Sequence, residues 1–419
     1  MKVAAFTNGL GLGGTEKAAC LWAIGLQRRG YSVVFLTLED GPRRHSLEKQ
    51  NIEVHVLEKE VNSILKALHS EKPDVIHAHA PGYSHGGDVL GSALIEYGQK
   101  IPVVQTNVFG RLENPKENAW VDFRLFVSWT SAVQAARRSF KKLDREFFRK
   151  NSVASNPLDL DGSPNLDEVA KFRAKLGLEV NDVLFGRFSR PDPNKWLDLP
   201  IHGFQLALNR CRNLKLLLRE PPQEVANWLK SLPESDRFII LPITSDAAEL
   251  SLTQMSVDAV LHTSSIGESF GYGIAEPMIY GKPVIANSVP WQDQAQIELV
   301  RPGKGGFISS TPKTVAQAIS QLAESKDLRV QMGDFARTHI QQLANVEVSL
   351  DRLEMALRAV VMNQDNPVID ADLLKAKTVA SQLDHYQFGS SIEERLKLQT
   401  FYYKQRFSQW RCHLRGNFK

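Results

Sequence analysis

Short apolar segments rich in β-branched residues alternate with helical segments along most of this chain, in two successive series. Such an alternation predicts parallel sheets covered by helices on both faces. Residues 155–164 (SNPLDLDGSP), which are dense in turn formers, separate the two series. The chain is therefore predicted to be an α/β protein with two doubly wound, Rossmann-like domains. The predicted strands are residues 2–7, 31–38, 52–57, 74–78, 101–106 and 123–128, and then 183–188, 214–218, 238–242, 259–262 and 283–286.

The predicted domain boundaries follow from where each series starts and stops. The N-terminal Rossmann-like domain is expected over residues 1–158 and the second one over residues 159–345. The pattern is purely helical from about residue 312, and residues 346–419 are predicted to form a helical extension that can pack back on the N-terminal domain. Ligands of such sheets bind at the carboxyl ends of the strands, so two facing sheets would form a binding cleft.

The composition excludes several classes of protein. The chain has 419 residues and a net charge of only +4, so no strong attraction to nucleic acid is expected. Its three cysteines, Cys20, Cys211 and Cys412, are scattered and lack metal-site spacing, which favours a reducing compartment. No apolar run reaches membrane-spanning length, and the N-terminus lacks the pattern of a signal peptide. We expect a cytoplasmic protein without a nucleic-acid partner.

The first helix is preceded by a glycine-rich segment, FTNGLGLGGTEKAAC. Gly9, Gly11 and Gly14 match G-x-G-x-x-G between an apolar strand and a helix, and Glu39 ends the next predicted strand. A dinucleotide-binding fold has a ribose-binding acid at about that place. A nucleotide-dependent oxidoreductase is therefore one candidate function, although it leaves the second domain unexplained.

The most informative stretch is residues 265–287, SIGESFGYGIAEPMIYGKPVIAN. Glu268 and Glu276 are separated by seven residues that include Gly271 and Gly273, and a helix is predicted to open near Ala275. A loop that leads into a helix directs backbone N–H groups and a positive dipole end at its ligand. Carboxylates at such a place accept hydrogen bonds from the hydroxyl groups of a sugar or a ribose. The alternative is a solvated helix N-terminus with favourable acidic residues.

A second informative stretch, FGRFSRPDPNKW at residues 185–196, is cationic; it follows a predicted strand and precedes a helix. Its charges are therefore expected at the carboxyl edge of the second sheet. The cations of this stretch are Arg187, Arg190 and Lys195; the alternative to a role in the cleft is surface cations beside a loop.

The string from Glu268 to Glu276, followed by PMIYGKPVIAN, resembles the donor-site signature of glycosyltransferase family 4. These are retaining enzymes of the GT-B fold, with two facing Rossmann-like domains, and the resemblance extends over roughly residues 1–345. It implies that Glu268 contacts hydroxyls of the donor sugar and that Glu276 binds the nucleotide ribose. It also implies that peptide N–H groups between them hold the sugar and the diphosphate, at Phe270, Gly271, Tyr272 and Gly273.

The same resemblance assigns roles to the cations. The family has an arginine, four residues and then a lysine that hold the donor diphosphate, and Arg190 and Lys195 have this spacing. The resemblance implies that these two fixed cations stabilise the charge that develops on the departing diphosphate. Arg187 belongs to the family's usual G-R dipeptide, but its distance from Lys195 along the chain is too long.

The resemblance also covers parts of the first domain. The segment GLGLGGTEKAA is similar to the family's glycine loop, so Gly13 and Gly14 are expected at the donor and Glu16 at the donor or the acceptor. His79, in DVIHAH, is a candidate contact in the cleft. The sequence departs from the family after the fifth strand, where the family usually has Thr-x-His and this chain has QTNVFG. Asn107 is the candidate for the missing hydrogen bond.

The resemblance implies an enzyme that moves a sugar from a UDP- or GDP-sugar to a saccharide or lipid-linked acceptor. Neither a metal nor a cofactor is expected, because fixed cations take the metal's place. Cell-surface polysaccharide or glycolipid synthesis is the expected setting. The alternatives are a sugar-nucleotide epimerase or phosphorylase of the same fold and a non-catalytic protein that binds sugar nucleotides.

Two basic stretches suggest contact with an anionic membrane surface. Residues 132–150 carry cations at helical spacing beside an apolar stripe, and residues 395–419 combine seven Lys/Arg with aromatic residues and no acid. Such a helix can lie at a lipid interface, at the inner face of the membrane. The alternative is that both stripes are core faces.

Overall fold

The computed structural model describes residues 1–80, 88–112, 117–158, 165–189, 191–193, 195–244, 246–289 and 292–388. These residues form two compact units. Unit 1 lies within Met1–Asp159 and Gln342–Ala380, and unit 2 comprises the described part of Leu160–Gln341 and continues from Ser381. Each unit is built around one parallel sheet, as the two series of strand-like segments predict.

The sheet of unit 1 has seven strands in the order β3-β2-β1-β4-β5-β6-β7, and every neighbouring pair is parallel. The order reverses direction beside β1, so the sheet is doubly wound. Six of the strands were predicted, within two residues at each end, and β7 was not. The strands are β1 Lys2–Thr7, β2 Ser32–Thr37, β3 Glu53–Val56, β4 Val75–Ala80, β5 Val103–Asn107, β6 Phe123–Phe126 and β7 Asn151–Val153.

Helices cover the apolar faces of this sheet. Trp22 of the first helix is fully buried, as are Phe35 and Phe123 on the strands. Burial of such large side chains supplies the main stabilisation of the unit. The helices up to the first boundary are α1 Gly14–Arg28, α2 Arg44–Glu48, α3 Val61–Glu71, α4 Val89–Glu96, α5 Glu117–Trp120, α6 Trp129–Arg138 and α7 Arg145–Phe148.

The sheet of unit 2 has six parallel strands in the order β10-β9-β8-β11-β12-β13. Its central strands β8 and β11 agree with the sequence prediction at both ends. Phe185 and Leu216 point into one apolar core with Phe204. The strands are β8 Val183–Phe188, β9 Leu214–Arg219, β10 Phe238–Leu241, β11 Ala259–His262, β12 Val284–Ala286 and β13 Gly306–Ile308.

The helices of unit 2 include two with complete capping boxes, at Asn165 with Glu168 and at Thr311 with Thr314. Each box satisfies two N-terminal backbone donors. A Cβ on Gly203 would overlap Val315, so the helices carrying these residues approach closely. The helices are α8 Leu166–Lys175, α9 Leu199–Leu208, α10 Gln223–Ser231, α11 Ala247–Ser256, α12 Tyr272–Ile279, α13 Ala295–Val300, α14 Pro312–Glu324 and α15 Lys326–Ala344.

Two further helices, α16 Val346–Val361 and α17 Ile369–Phe388, follow. Residues 342–380 belong to unit 1, where α16 packs against α1: a Cβ on Gly25 would overlap Leu350. The Ser349 hydroxyl donates to the Ser155 carbonyl at 2.8 Å, and Asp372, which is fully buried, accepts from Ser152 at 2.6 Å. These two helices and the turn that joins them make up the described part of residues 346–419.

The stretch 132–150 does not form the single amphipathic helix that its spacing suggests. Helix α6 ends at Arg138, and Phe140 adopts a left-handed φ of 54° with 97% of its surface exposed. The Asp144 carboxylate accepts from the Phe147 N–H at 3.0 Å and starts the separate helix α7, which buries Phe147. The predicted apolar stripe is therefore divided between the core and solvent. Residues 395–419 lie outside the described residues, in which no helix is long and apolar enough to cross a membrane.

Candidate active site

The loop between β11 and α12 forms the base of the candidate site at the carboxyl edge of the second sheet. Gly271 caps α12 with φ 97°, a conformation that side chains disfavour. A Cβ on Gly273 would overlap the carbonyl oxygen of Phe188, so the first turn of α12 lies directly against the end of β8. The helix begins at Tyr272, three residues before the predicted Ala275. The two glycines thus bring a helix N-terminus close to the ends of the central strands.

Glu268 is the centre of a buried polar cluster in this loop. The Lys195 ammonium lies 3.2 and 3.3 Å from its two carboxylate oxygens. His262, the last residue of β11, places Nε2 3.1 Å from Oε1. The Glu268 backbone is held as well: its N–H donates to Gln296 Oε1 at 3.1 Å, and its carbonyl accepts from Ala295 at 2.8 Å. The carboxylate is therefore fixed from both sides.

The charge state of Glu268 follows from these contacts. Burial alone would raise the pKa of its carboxyl, but Lys195 and His262 outweigh that effect and lower the pKa to about 2. Only 11% of the side chain is exposed. A buried, ionised carboxylate can accept hydrogen bonds from hydroxyl groups but can donate none.

Arg187 is buried below this cluster, with 3% exposure. Its Nη1 donates to the Thr263 carbonyl at 2.6 Å, and its guanidinium lies 4.5 Å from the centre of the Trp196 ring. Burial lowers the pKa of Arg187 to about 10, even though Glu268 acts in the opposite direction. This guanidinium is therefore engaged inside unit 2. Arg190, the arginine favoured by its spacing, lies outside the described residues.

Glu276 is half-buried in the second turn of α12, because the helix begins earlier than predicted. A helix that opened near Ala275 would have Glu276 in its first turn, and this expectation is wrong. Its Oε2 accepts from Gln254 Nε2 on α11 at 2.7 Å. Phe270 is buried, and its ring meets the Tyr272 ring edge-on with centroids 5.0 Å apart. Since that ring is in the core, Phe270 can reach a ligand through its backbone.

The glycine loop of unit 1 closes on itself. Gly13 is the N-cap of α1, which begins at Gly14, and Glu16 lies in its first turn. A Cβ on Gly13 would overlap the Glu16 carboxylate. The Arg43 guanidinium donates to the Gly11 carbonyl at 3.0 Å. The loop is thereby held by a side chain that the G-x-G-x-x-G pattern does not include.

The polar residues at the ends of β4 and β5 are buried in unit 1. His77 Nε2 lies 2.8 Å from the Thr106 hydroxyl, while both ring nitrogens of His79 lack a hydrogen-bond partner among the described residues. The Asn107 amide donates to the Arg111 carbonyl at 2.7 Å and accepts from the Arg111 N–H at 3.1 Å. Asn107 closes a local turn, and its second amide hydrogen goes to a neighbouring glutamine. Both amide hydrogens are therefore engaged, and a hydrogen bond donated by Asn107 to a substrate would require the loss of one of these bonds.

Three polar residues of the site were not found from the sequence. His262 and Gln296 contact Glu268, and Gln254 contacts Glu276. His262 carried a usable signal, because it is a polar residue at the carboxyl end of a buried strand. The two glutamines come from helices or loops distant in sequence and carried none. No three His, Cys, Asp or Glu side chains are grouped as metal ligands in the part of the chain that the structure describes.

Comparisons with known proteins place both units in one family. A model described as "Glycosyl transferases group 1" matches residues 169–339, and one described as "Glycosyl transferase 4-like" matches residues 15–131. The chain belongs to the GT4-type glycosyltransferases. The resemblance inferred from the donor-site string is thus confirmed, and the G-x-G-x-x-G match does not indicate an oxidoreductase.

Solved structures show the same fold. The Anabaena HepE protein in complex with UDP and glucose has a TM-score of 0.69 at 20% identity, over 86% of this chain and 100% of that one. A glycosyltransferase from Rickettsia africae has a TM-score of 0.71 at 14% identity, over 87% of this chain and 99% of that one. The chain therefore has the predicted GT-B fold class, with two Rossmann-like domains.

One curated relative matches a smaller part of the chain. A probable sucrose-phosphate synthase from Thermosipho melanesiensis is 25% identical over 142 residues. That match spans 33% of this chain and 33% of the relative, so the chain matches about a third of that protein's length.

Proposed function

We propose that this chain is a retaining glycosyltransferase that moves a sugar from a nucleoside-diphosphate sugar to an acceptor hydroxyl without a metal or a cofactor. The observation that carries the proposal is the ionised Glu268 carboxylate, held by Lys195 beside the N-terminus of α12. A sugar linked to a diphosphate is bound by a group that accepts hydrogen bonds from the sugar hydroxyls. A cation and a helix N-terminus bind the diphosphate.

The proposed transfer keeps the configuration of the anomeric carbon. The bond between that carbon and the diphosphate oxygen breaks, and the diphosphate leaves with the electron pair. The acceptor oxygen bonds to the same face of the carbon, and its proton passes to the departing phosphate oxygen. Catalysis then consists of positioning and of stabilising the diphosphate charge.

Each residue has a role in this proposal. Lys195 turns from Glu268 toward the diphosphate when the donor binds, together with Arg190, and Glu268 accepts from the sugar hydroxyls. Glu276 receives the ribose hydroxyls, and its bond to Gln254 orients it. The backbone of Phe270, Gly271, Tyr272 and Gly273 faces the phosphates. Gly13, Gly14 and Glu16 of unit 1, with His79 and Asn107, contact the donor or the acceptor.

The donor is tested first by binding. Purified protein is melted with UDP, GDP, ADP, NAD or NADP, because a ligand of the folded state raises the melting temperature. UDP is the first choice, since the similar HepE structure contains UDP. We expect one nucleoside diphosphate to stabilise the wild type and not Glu276→Ala. Stabilisation by a nicotinamide dinucleotide alone would contradict the proposal.

Turnover is tested next with Lys195→Met, and Lys313→Met on the exposed surface of α14 is the matched control. Loss of one charge-stabilising donor is expected to lower kcat about a hundredfold to a thousandfold, and Arg190→Ala is expected to do the same. The anomeric configuration of the product is read by NMR. An inverted product would refute the retaining mechanism, and a bound donor without transfer would favour an epimerase, a phosphorylase or a non-catalytic protein. Activity after chelator treatment tests the metal-free assignment.

The acceptor side of the proposal is a saccharide or lipid-linked acceptor at an anionic, cytoplasmic membrane face, in polysaccharide or glycolipid synthesis. Its support is the exposed Phe140 beside the exposed Lys141 and Lys142. Flotation with anionic vesicles at low salt is expected to fall for Phe140→Ser. Val180→Ser, which alters an equally exposed side chain in unit 2, is the control. Equal flotation of all three proteins would remove the loop from the proposal.

A further inference from the structure

We propose that His262 is a positioning residue that holds Glu268 for the donor sugar, an inference that rests on the proposed function. His262 ends β11, and 4% of its side chain is exposed. Its Nε2 lies 3.1 Å from Glu268 Oε1. Neither the donor-site string nor the spacing of the cations includes this residue.

The direction of the hydrogen bond follows from the charges around the ring. Burial lowers the pKa of His262, Arg187 and Lys195 lower it further, and Glu268 opposes them without restoring it. The ring is therefore neutral near pH 7, and the ionised carboxylate can only accept. The proton must lie on Nε2, and Nδ1 is left without a hydrogen-bond partner among the described residues.

The surrounding backbone keeps this donor in place. The continuation of β11 is fixed by the Asn287 amide, which accepts from the Ser264 N–H at 2.9 Å and donates to its carbonyl at 3.1 Å. On the other side, a Cβ on Gly273 would stand 3.5 Å from Cε1 of His262, so the first turn of α12 covers the ring. His262 therefore has little freedom to turn away from Glu268.

The need for such a donor appears when the diphosphate binds. Lys195 contacts both oxygens of Glu268 in the free site, and a bound diphosphate competes for the same ammonium. Once Lys195 turns to the phosphate, the carboxylate would be free to rotate. His262 keeps Oε1 fixed, so that Oε2 stays directed at a sugar hydroxyl. His262 thus acts on recognition of the sugar and not of the nucleotide.

The test compares affinity for UDP and UDP-glucose, and for GDP and GDP-mannose, by titration calorimetry. His262→Phe is expected to lower affinity for the sugar nucleotide about ten- to a hundredfold, the effect of losing a hydrogen bond to a charged group. Affinity for the free nucleoside diphosphate should stay within about twofold. His262→Gln, whose amide can donate in place of Nε2, should restore most of the loss. His202→Phe, on the exposed side of α9, is the control.

Combination with Glu268→Gln separates the roles. If His262 acts through Glu268, adding His262→Phe to the Glu268→Gln variant should not lower the affinity for the sugar nucleotide any further. Equal loss of nucleotide and sugar-nucleotide affinity, or additive losses, would overturn the inference and leave the proposed function standing. Failure of the wild type to bind any of the four ligands, or ADP and ADP-glucose, would overturn both.

A second measurement needs neither ligand nor activity. Nitrogen-15 NMR of the histidine rings, assigned by the signal that His262→Gln removes, should show a neutral ring protonated at Nε2 at pH 7. A thermal melt of each variant checks that it is folded. A ring protonated at Nδ1 alone, or an imidazolium, would contradict the assigned hydrogen bond.

Discussion

Lowering the pH from 7 to 5 should destabilise unit 1 through the buried histidines of β4. His77 is fully buried, with its ring 4.5 Å from that of His79 and edge-on to Trp22. Burial lowers the pKa of His77 from 6.5 to about 3. The unfolded chain therefore binds a proton below pH 6.5 that the folded chain rejects until about pH 3. The contribution of the neutral His77 to the free energy of unfolding is therefore complete above pH 6.5 and is lost as the pH falls from 6.5 toward 3.

The size of the effect follows from linkage. Between pH 7 and pH 5, a histidine that titrates at 6.5 when unfolded and about 3 when folded removes about 2 kcal/mol from the free energy of unfolding. His79 acts in the same direction, because burial, with a contribution from His77, lowers its pKa well below the usual value. A loss of this size is a large part of the stability of an ordinary domain.

His77→Gln isolates the contribution of one ring. Glutamine does not titrate and can still form a hydrogen bond with the Thr106 hydroxyl. Between pH 7 and pH 5, the free energy of unfolding should therefore fall by about 2 kcal/mol less for the variant than for the wild type. Urea unfolding is followed by tryptophan fluorescence and circular dichroism at pH 7 and pH 5. His45→Gln on the exposed side of α2 is the control for the change of side chain. Identical losses in wild type and His77→Gln would show that the ring is not held neutral.

Four further substitutions in unit 2 test its packing and its ligand contacts. Gly273→Ala should displace α12 from the Phe188 carbonyl and cost about 1–3 kcal/mol, measured by urea unfolding; a stability equal to wild type would refute the close approach. Glu276→Ala should weaken nucleotide binding, and Gln254→Ala should weaken it less, since it removes only an orienting bond; calorimetry that finds the reverse order would contradict these roles. Phe204→Ala should cost about 3–5 kcal/mol, because the ring is fully buried in the core, and a loss below about 1 kcal/mol would show that the site collapses.

The central strands could be predicted from the sequence because they are buried on both faces. Val183–Phe188 and Ala259–His262 are short, mainly apolar runs between turn signals, and the structure gives the same bounds. The strands Asn151–Val153 and Gly306–Ile308 were missed, since each has only three residues and begins with a turn former. Val284–Ala286 is as short but entirely apolar, and it was predicted. Both missed strands are edge strands, and the parallel α/β class of the two sheets could be predicted without them.

The candidate site was predictable where a local motif carries the chemistry. The sequence singles out Glu268 and Lys195 in this way, and they contact each other in the structure. Their roles at the donor stay predictions. The relation of Arg187 to Trp196 was not accessible, because it depends on how the loop after β8 folds back over the strand. The start of α12 was misplaced because Gly271 and Gly273 suggest a loop, whereas Gly271 caps the helix and Gly273 lies within it. Packing of the glycines against β8 decided that boundary.

The packing of α16 against α1 sets an order for biosynthesis. Gly25 and Leu350 lie against each other although 325 positions separate them along the chain. During translation, residues 160–341, which form most of unit 2, emerge without interruption and can fold while the ribosome is still adding the helices that unit 1 needs. Helix α1 must therefore wait for α16, and the α1 surface around Gly25 stays uncovered in the interval. Chaperone contact during synthesis should concentrate on that surface, and a stop after residue 341 should leave an aggregation-prone chain.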